Sequence, residues 1–205
     1  MEIIETELSA RGIVLPPDRD NVVKRVIHAT ADFDFAENLR FTPGAAARGI
    51  NALRRGGVVV TDTNMALAGV SRPALEKLGG QAVCYMAEPS VGDEARRRGV
   101  TRAAVSMERA LADFPAAVTA VGNAPTALLA LADLIEAGAA PSLVVGVPVG
   151  FVNVTESKER LWRVCTAHGV PAIVSMGRKG GSGVAAAICN ALLYEAAGLL
   201  DPAAR

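Results

Sequence analysis

The chain has 205 residues, with 21 Lys plus Arg against 21 Asp plus Glu; zero formal charge excludes a general nucleic-acid binder, whose phosphate contacts need a basic surplus. Hydrophobic residues at 51% and charged residues at 20% exclude a disordered chain and suit one buried core, so a single domain over residues 1–205 is expected. No run approaches the roughly 18 consecutive apolar residues of a membrane span, and the acidic start MEIIETELSARG lacks the order of a signal peptide, which predicts a soluble cytoplasmic protein with no membrane partner.

In chain order, a helix is expected from Asp18 toward His28, and a second capped by Thr42, with Pro43 at its first position, ending at Gly56. From Gly57 onward short β-branched runs alternate with helix-period segments. The runs cover residues 58–62, 82–86, 117–121, 143–147 and 172–176. Each is apolar throughout instead of alternating with polar residues, so both faces should be covered, as in a parallel sheet. Pro125 opens a helix that closes at Gly138, and Thr155 can cap one that closes at Gly169. The expected fold is α/β: a single domain with a mainly parallel five-stranded sheet and helices on both faces. Cys84, Cys165 and Cys189 are odd in number, far apart and flanked by apolar residues, which predicts reduced core thiols and neither disulfide nor zinc site.

Ligands of such open sheets bind beyond the carboxyl ends of the strands. Three of the segments there could receive an anion. Residues 122–127 (Gly-Asn-Ala-Pro-Thr-Ala, including Thr126) would place Asn123 as the cap of a helix with free backbone N–H groups. Residues 148–158 run through Gly150 and Thr155 to Lys158, again into a helix start. Residues 176–183 combine Arg178 and Lys179 with Gly180, Gly181, Ser182 and Gly183. Ordinary helix caps would look the same at each loop taken singly. Arg102, at a further helix start, would add to the field, whereas the Arg96-Arg97-Arg98 run reads as a solvated face. Neither a Walker run nor a Gly-x-Gly-x-x-Gly fingerprint is present, Gly181-Ser182-Gly183 is too short for a nucleophile elbow, and no metal-ligand spacing occurs. No cofactor and no metal are therefore expected.

Two histidines narrow the search for a group that titrates near neutrality. His28 ends its helix beside Thr30, Asp32 and Asp34, and a helix C-terminus and nearby carboxylates both favour imidazolium, the form that donates a proton. From spacing alone a capping histidine is the commoner reading. His168, before Gly169 with no polar cluster around it, reads as structural.

The segments RVIHATADFDFA, TDTNMALAGV, TRAAVSMERA, VGNAPTALLAL, VVGVPVGFVNVTESKERL and GRKGGSGVAAAICNALL, in order from about Arg25 to Leu193, closely resemble the precorrin-8X methylmutase family of cobalamin biosynthesis. TDTNMALAGV and SMERA are worded more like the cobalt-precorrin-8 branch than the metal-free one. The resemblance implies an isomerase that moves a methyl group from carbon 11 to carbon 12 of a corrin precursor to give cobyrinic acid or its cobalt-free counterpart. It implies a homodimer with the tetrapyrrole near the subunit interface, and its catalytic histidine maps onto His28. Under that reading Arg102, Arg178, Lys179, Lys158 and the helix starts at Asn123 and Thr155 would hold the substrate's carboxylates, with Thr30, Thr126 and Ser182 beside them. Ala124, Gly150 and Gly180 would support the ring plane. A non-catalytic carrier of corrin intermediates is the competing reading.

Overall fold

A computed structural model describes residues 1–200; the last five residues of the expected domain lie outside the described range. The five apolar runs form β2 (Val58–Thr61), β3 (Gln81–Val83), β4 (Val118–Val121), β5 (Leu143–Gly146) and β6 (Ala172–Ser175). All their pairings are parallel, and a sixth strand, β1 (Leu39–Phe41), pairs antiparallel with β6 at one edge. The order is β1-β6-β5-β4-β2-β3. Val59, Val145 and Ile173 face one apolar cluster, while Val60, Val144 and Val174 face another. Alternate residues of one strand thus enter different cores, which is why the runs carry no polar alternation.

The helices are α1 (Glu2–Ala10), α2 (Asp20–Thr30), α3 (Phe35–Asn38), α4 (Ala45–Arg54), α5 (Asn64–Gly69), α6 (Arg72–Lys77), α7 (Pro89–Arg98), α8 (Arg102–Asp113), α9 (Pro125–Glu136), α10 (Val154–His168) and α11 (Ser182–Ala196). α8, α9 and α10 cover one face, whereas α4, α5 and α11 cover the other. α11, rich in Ala, is apolar on most sides because α2 packs on it from outside. A Cβ at Gly69 would lie 2.7 Å from that of Ala186, so the small residue lets α5 close on α11. Cys165 and Cys189 are buried, and burial pushes both thiols up to about 12.

Several expected boundaries move. β1 replaces the count of five strands by six, since three residues ahead of Thr42-Pro43 carry no periodicity to read. The run expected at residues 82–86 leaves the ladder after Val83. Thr42 does not cap α4; its Oγ1 accepts the Ala172 N–H at 2.8 Å, extending the β1–β6 contact, and Gly44 (φ 70°) is the N-cap. Thr155 lies inside the first turn of α10 behind the N-cap Asn153, and Asn123 precedes Ala124, the N-cap of α9. The Arg96–Arg98 run is a solvated face, with Arg96 paired to Asp93 and Arg98 to Glu94 and Glu108.

Candidate active site

At the carboxyl pole of the sheet the loops after β2, β4, β5 and β6 lock onto one another. Asp62 follows β2 directly and is fully buried. Its Oδ1 accepts the Gly122 N–H at 2.9 Å, and its Oδ2 accepts those of Asn123 and Ala124 at 2.8 and 2.9 Å. The donors assigned to a substrate anion are therefore occupied by a carboxylate of the chain itself. Burial raises the acid's pKa, and the three N–H bonds oppose it. The signal for Asp62 was available in the sequence, as an acid at the carboxyl end of a strand. A Cβ at Gly122 would meet Ser182 Cα at 2.7 Å, and one at Gly180 would meet the Val147 carbonyl at 2.1 Å. Gly180 thus serves close packing between loops. Thr63 and Ser182 share a hydroxyl hydrogen bond of 2.9 Å.

The β6 loop sits on a buried cation. Lys158, on the inner side of α10, donates to the carbonyls of Gly177 and Lys179, both at 2.8 Å, and to Ser175 Oγ at 3.3 Å. With no solvent exposure and its three protons engaged, Lys158 does not reach a ligand's carboxylate as the sequence reading expected. Burial lowers its pKa to about 8. Lys179 points outward, but its ammonium lies 2.6 Å from both Asp32 and Asp34. That pairing ties the β6 loop to the end of α2 and spends much of the charge expected for a ligand. Lys179 in turn holds the Asp32 carboxyl below its usual range.

His28 projects from the last turn of α2 into solvent, at the rim of an open groove of about 720 Å³ lined also by Arg25, Glu5 and Tyr194. Two residues on, Thr30 Oγ1 donates to the Val26 carbonyl at 2.8 Å and accepts the Asp32 N–H at 3.2 Å. Thr30 is thus a fastening of the helix end. Ala31 follows in the left-handed conformation (φ 54°, ψ 25°) and turns the chain toward Lys179.

Arg178 is exposed, with its guanidinium 5.4 Å from the ring centroid of Phe151. Phe151 and Val152 are 84% and 77% exposed, and Met65, after β2, is 74% exposed. An apolar rim with one cation above it suits a ligand that is flat and apolar in the middle and acidic at its edge. Gly150 donates its N–H to the Arg178 carbonyl at 3.3 Å, so it braces Arg178 from the loop after β5. At the other end of the pole, Thr101 caps α8 and donates to Thr126 Oγ1 at 2.8 Å. Arg102 lies against Gly92 in α7, with no ion pair among the described residues. The structure therefore joins Thr30 to Lys179, the neighbour of Arg178, through Asp32, with His28 two residues before Thr30 on the same helix end. It holds Arg102 and Thr126 apart from them and places Lys158 beneath the surface.

A family model described as precorrin-8X methylmutase matches residues 1–195. The cobalt-precorrin-8 methylmutase of Priestia megaterium is 45% identical over 172 residues, covering 83% of this chain and 75% of its own. The precorrin-8X methylmutase of Pseudomonas aeruginosa is 41% identical over 193 residues, covering 94% and 90%. A crystal structure of the precorrin-8X methylmutase from Thermus thermophilus superposes with a TM-score of 0.80 at 39% identity, covering 90% of this chain and 89% of that one.

Proposed function

The chain belongs to the precorrin-8X methylmutase family and is an isomerase of cobalamin biosynthesis acting on precorrin-8X or its cobalt form, and from that premise we propose that His28 is its proton donor and Arg178 its grip on a substrate carboxylate. The methyl group moves from carbon 11 to carbon 12 within one conjugated ring, so substrate and product have the same composition. A proton lent to the conjugated ring, at a nitrogen where the substrate is metal-free or at a carbon of the conjugated path where cobalt occupies the nitrogens, draws ring electrons toward it, lowers the barrier, and returns to the imidazole when the shift is complete. The observation that carries this reading is the placement of His28, solvent-facing at a groove of about 720 Å³ and linked through Asp32, Asp34 and Lys179 to the loop that bears Arg178.

Arg178 and the apolar rim of Met65, Phe151 and Val152 support a macrocycle held flat, its carboxylate on the guanidinium. Thr155, in the first turn of α10, is a secondary contact for the polyacid's edge, whereas the Asn123 N–H is taken by Asp62 and Arg102 lies against Gly92. The substrate is the cobalt form, a reading supported by the cobalt-precorrin-8 name of the 45% identical relative. The active species is a cytoplasmic homodimer, the second protomer covering the rim. A carrier that leaves its ligand unchanged has no support from the relatives, which are methylmutases.

The test is His28→Ala, assayed by the change in corrin absorption with cobalt-precorrin-8 and its metal-free counterpart in parallel. Because the ring is exposed, the variant should keep its thermal midpoint and its affinity for substrate while kcat falls by about 10²–10⁴. Turnover at the wild-type rate would remove His28 from the mechanism.

A further inference from the structure

Lys158 is a cation in the interior with no carboxylate paired to it among the described residues. Its side chain has no solvent exposure, and its partners are two peptide carbonyls and one hydroxyl. A hydrocarbon side chain of the same length would fill this space without the desolvation cost of an ammonium. The identity of the two carbonyls tells what the charge holds: they belong to Gly177 and Lys179, the residues on either side of Arg178. Ser175, the third partner, donates its own hydroxyl to the Lys179 carbonyl at 2.8 Å, so the same carbonyl is pinned twice. From the outer side the Gly150 N–H reaches the Arg178 carbonyl at 3.3 Å and the Gly181 N–H reaches the Val147 carbonyl at 2.8 Å. Every peptide carbonyl of the turn from Gly177 to Lys179 is thereby fixed, and the guanidinium rises from it onto the Phe151 ring.

We propose that Lys158 is a positioning residue of the methylmutase reaction, a buried clamp that fixes the Gly177–Lys179 turn and so presents Arg178 to a carboxylate of the substrate. The proposal rests on the reading of Arg178 as the grip. Lys158 touches no ligand, and its effect on turnover passes through Arg178.

A double-mutant cycle with a direct measurement on the turn separates the two claims. Arg178→Ala should raise KM by about 10- to 100-fold with kcat nearly unchanged, the loss expected when a charged hydrogen bond to substrate is removed. Lys158→Met should raise KM in the same direction with kcat equally preserved, and should speed amide hydrogen exchange of residues 176–181. The double variant should be no worse than Arg178→Ala, since a positioning residue has nothing left to position. Ser175→Ala, which removes one of the clamp's three acceptors with little loss of volume, should show the same KM shift at smaller size if Lys158→Met does not fold. KM effects that multiply in the double variant, or wild-type exchange of the turn in Lys158→Met, would overturn the proposal. An unchanged KM in Arg178→Ala together with faster exchange in Lys158→Met would instead remove the grip, leave the lysine a purely structural anchor, and overturn the positioning role on that distinct ground.

Discussion

A buried ammonium whose partners among the described residues are all neutral leaves a mark on stability that needs no substrate to measure. The Lys158 pKa falls from its ordinary 10.5 to about 8 through burial, so between those values the native chain has released a proton that the unfolded chain still holds. Stability then rises with pH across the window, and the gain is lost again as pH falls through about 8. The drop in pKa corresponds to about 3 kcal/mol. Urea unfolding of the wild type and Lys158→Met from pH 7.5 to 10.5 should show the wild type gaining by that amount relative to the variant. Parallel curves would mean that the ammonium is not desolvated in the fold. Burial is also the reason the residue was misread in sequence: a lysine in a charged helical stretch, T-E-S-K-E-R, carries no mark of facing inward. His28 was singled out by the resemblance of RVIHATADFDFA to the methylmutase family, whereas spacing alone favoured a capping residue. Asp62 was not assigned because the three N–H groups it satisfies lie sixty residues away.

The end of α2 connects the histidine to the rest of the pole, and its geometry depends on an alanine where glycine is the usual choice. Ala31 sits at φ 54°, ψ 25°, a conformation that costs a residue with a Cβ about 1 kcal/mol. The turn it makes brings Asp32 and Asp34 onto Lys179. Ala31→Gly relieves that strain while leaving every side chain of the tie in place. Its thermal midpoint should rise by about 2 °C in calorimetry, the shift expected of somewhat under 1 kcal/mol in a chain of this size. An unchanged or lower midpoint would show that the contacts around Ala31 favour the methyl group by as much as the backbone disfavours it. The parallel strands were readable because β2, β4, β5 and β6 are almost wholly buried and mostly apolar, whereas β3, at the edge, starts at exposed Gln81 and keeps only two residues of its expected run. β1 was not, because Leu39, Arg40 and Phe41 are too few to show a period and belong to the sheet only through their register with Ser175, Val174 and Ile173. Thr42 was misread for a related reason: a threonine before proline fits a helix cap equally well, and only the long-range contact with Ala172 decides which.

On the scale of the molecule, the carboxyl pole combines two properties that a lone protomer reconciles poorly. Its inner shell is tightly closed, with Asp62 on the β4 loop and Gly122 and Gly180 pressed against neighbouring backbone. Its outer rim leaves Met65, Phe151 and Val152 largely in water. Burying a large apolar side chain contributes about 1.5–3 kcal/mol, so three such groups on one rim favour a cover. A flat polyacid resting there would shield one side, and a second protomer related by a two-fold axis would close the other, since an isologous contact presents the same rim twice. Light scattering after size exclusion should therefore give about 42 kDa, twice the mass of the 21.1 kDa chain. Val152→Asp, which sets a carboxylate into the covered rim without touching the Arg178–Phe151 contact, should shift the mass toward a single chain. A wild type that elutes as one chain at micromolar concentration would end the dimer reading. A Val152→Asp protein that stays at twice the chain mass would keep the dimer and move its interface away from this rim, leaving the apolar side chains to the substrate alone.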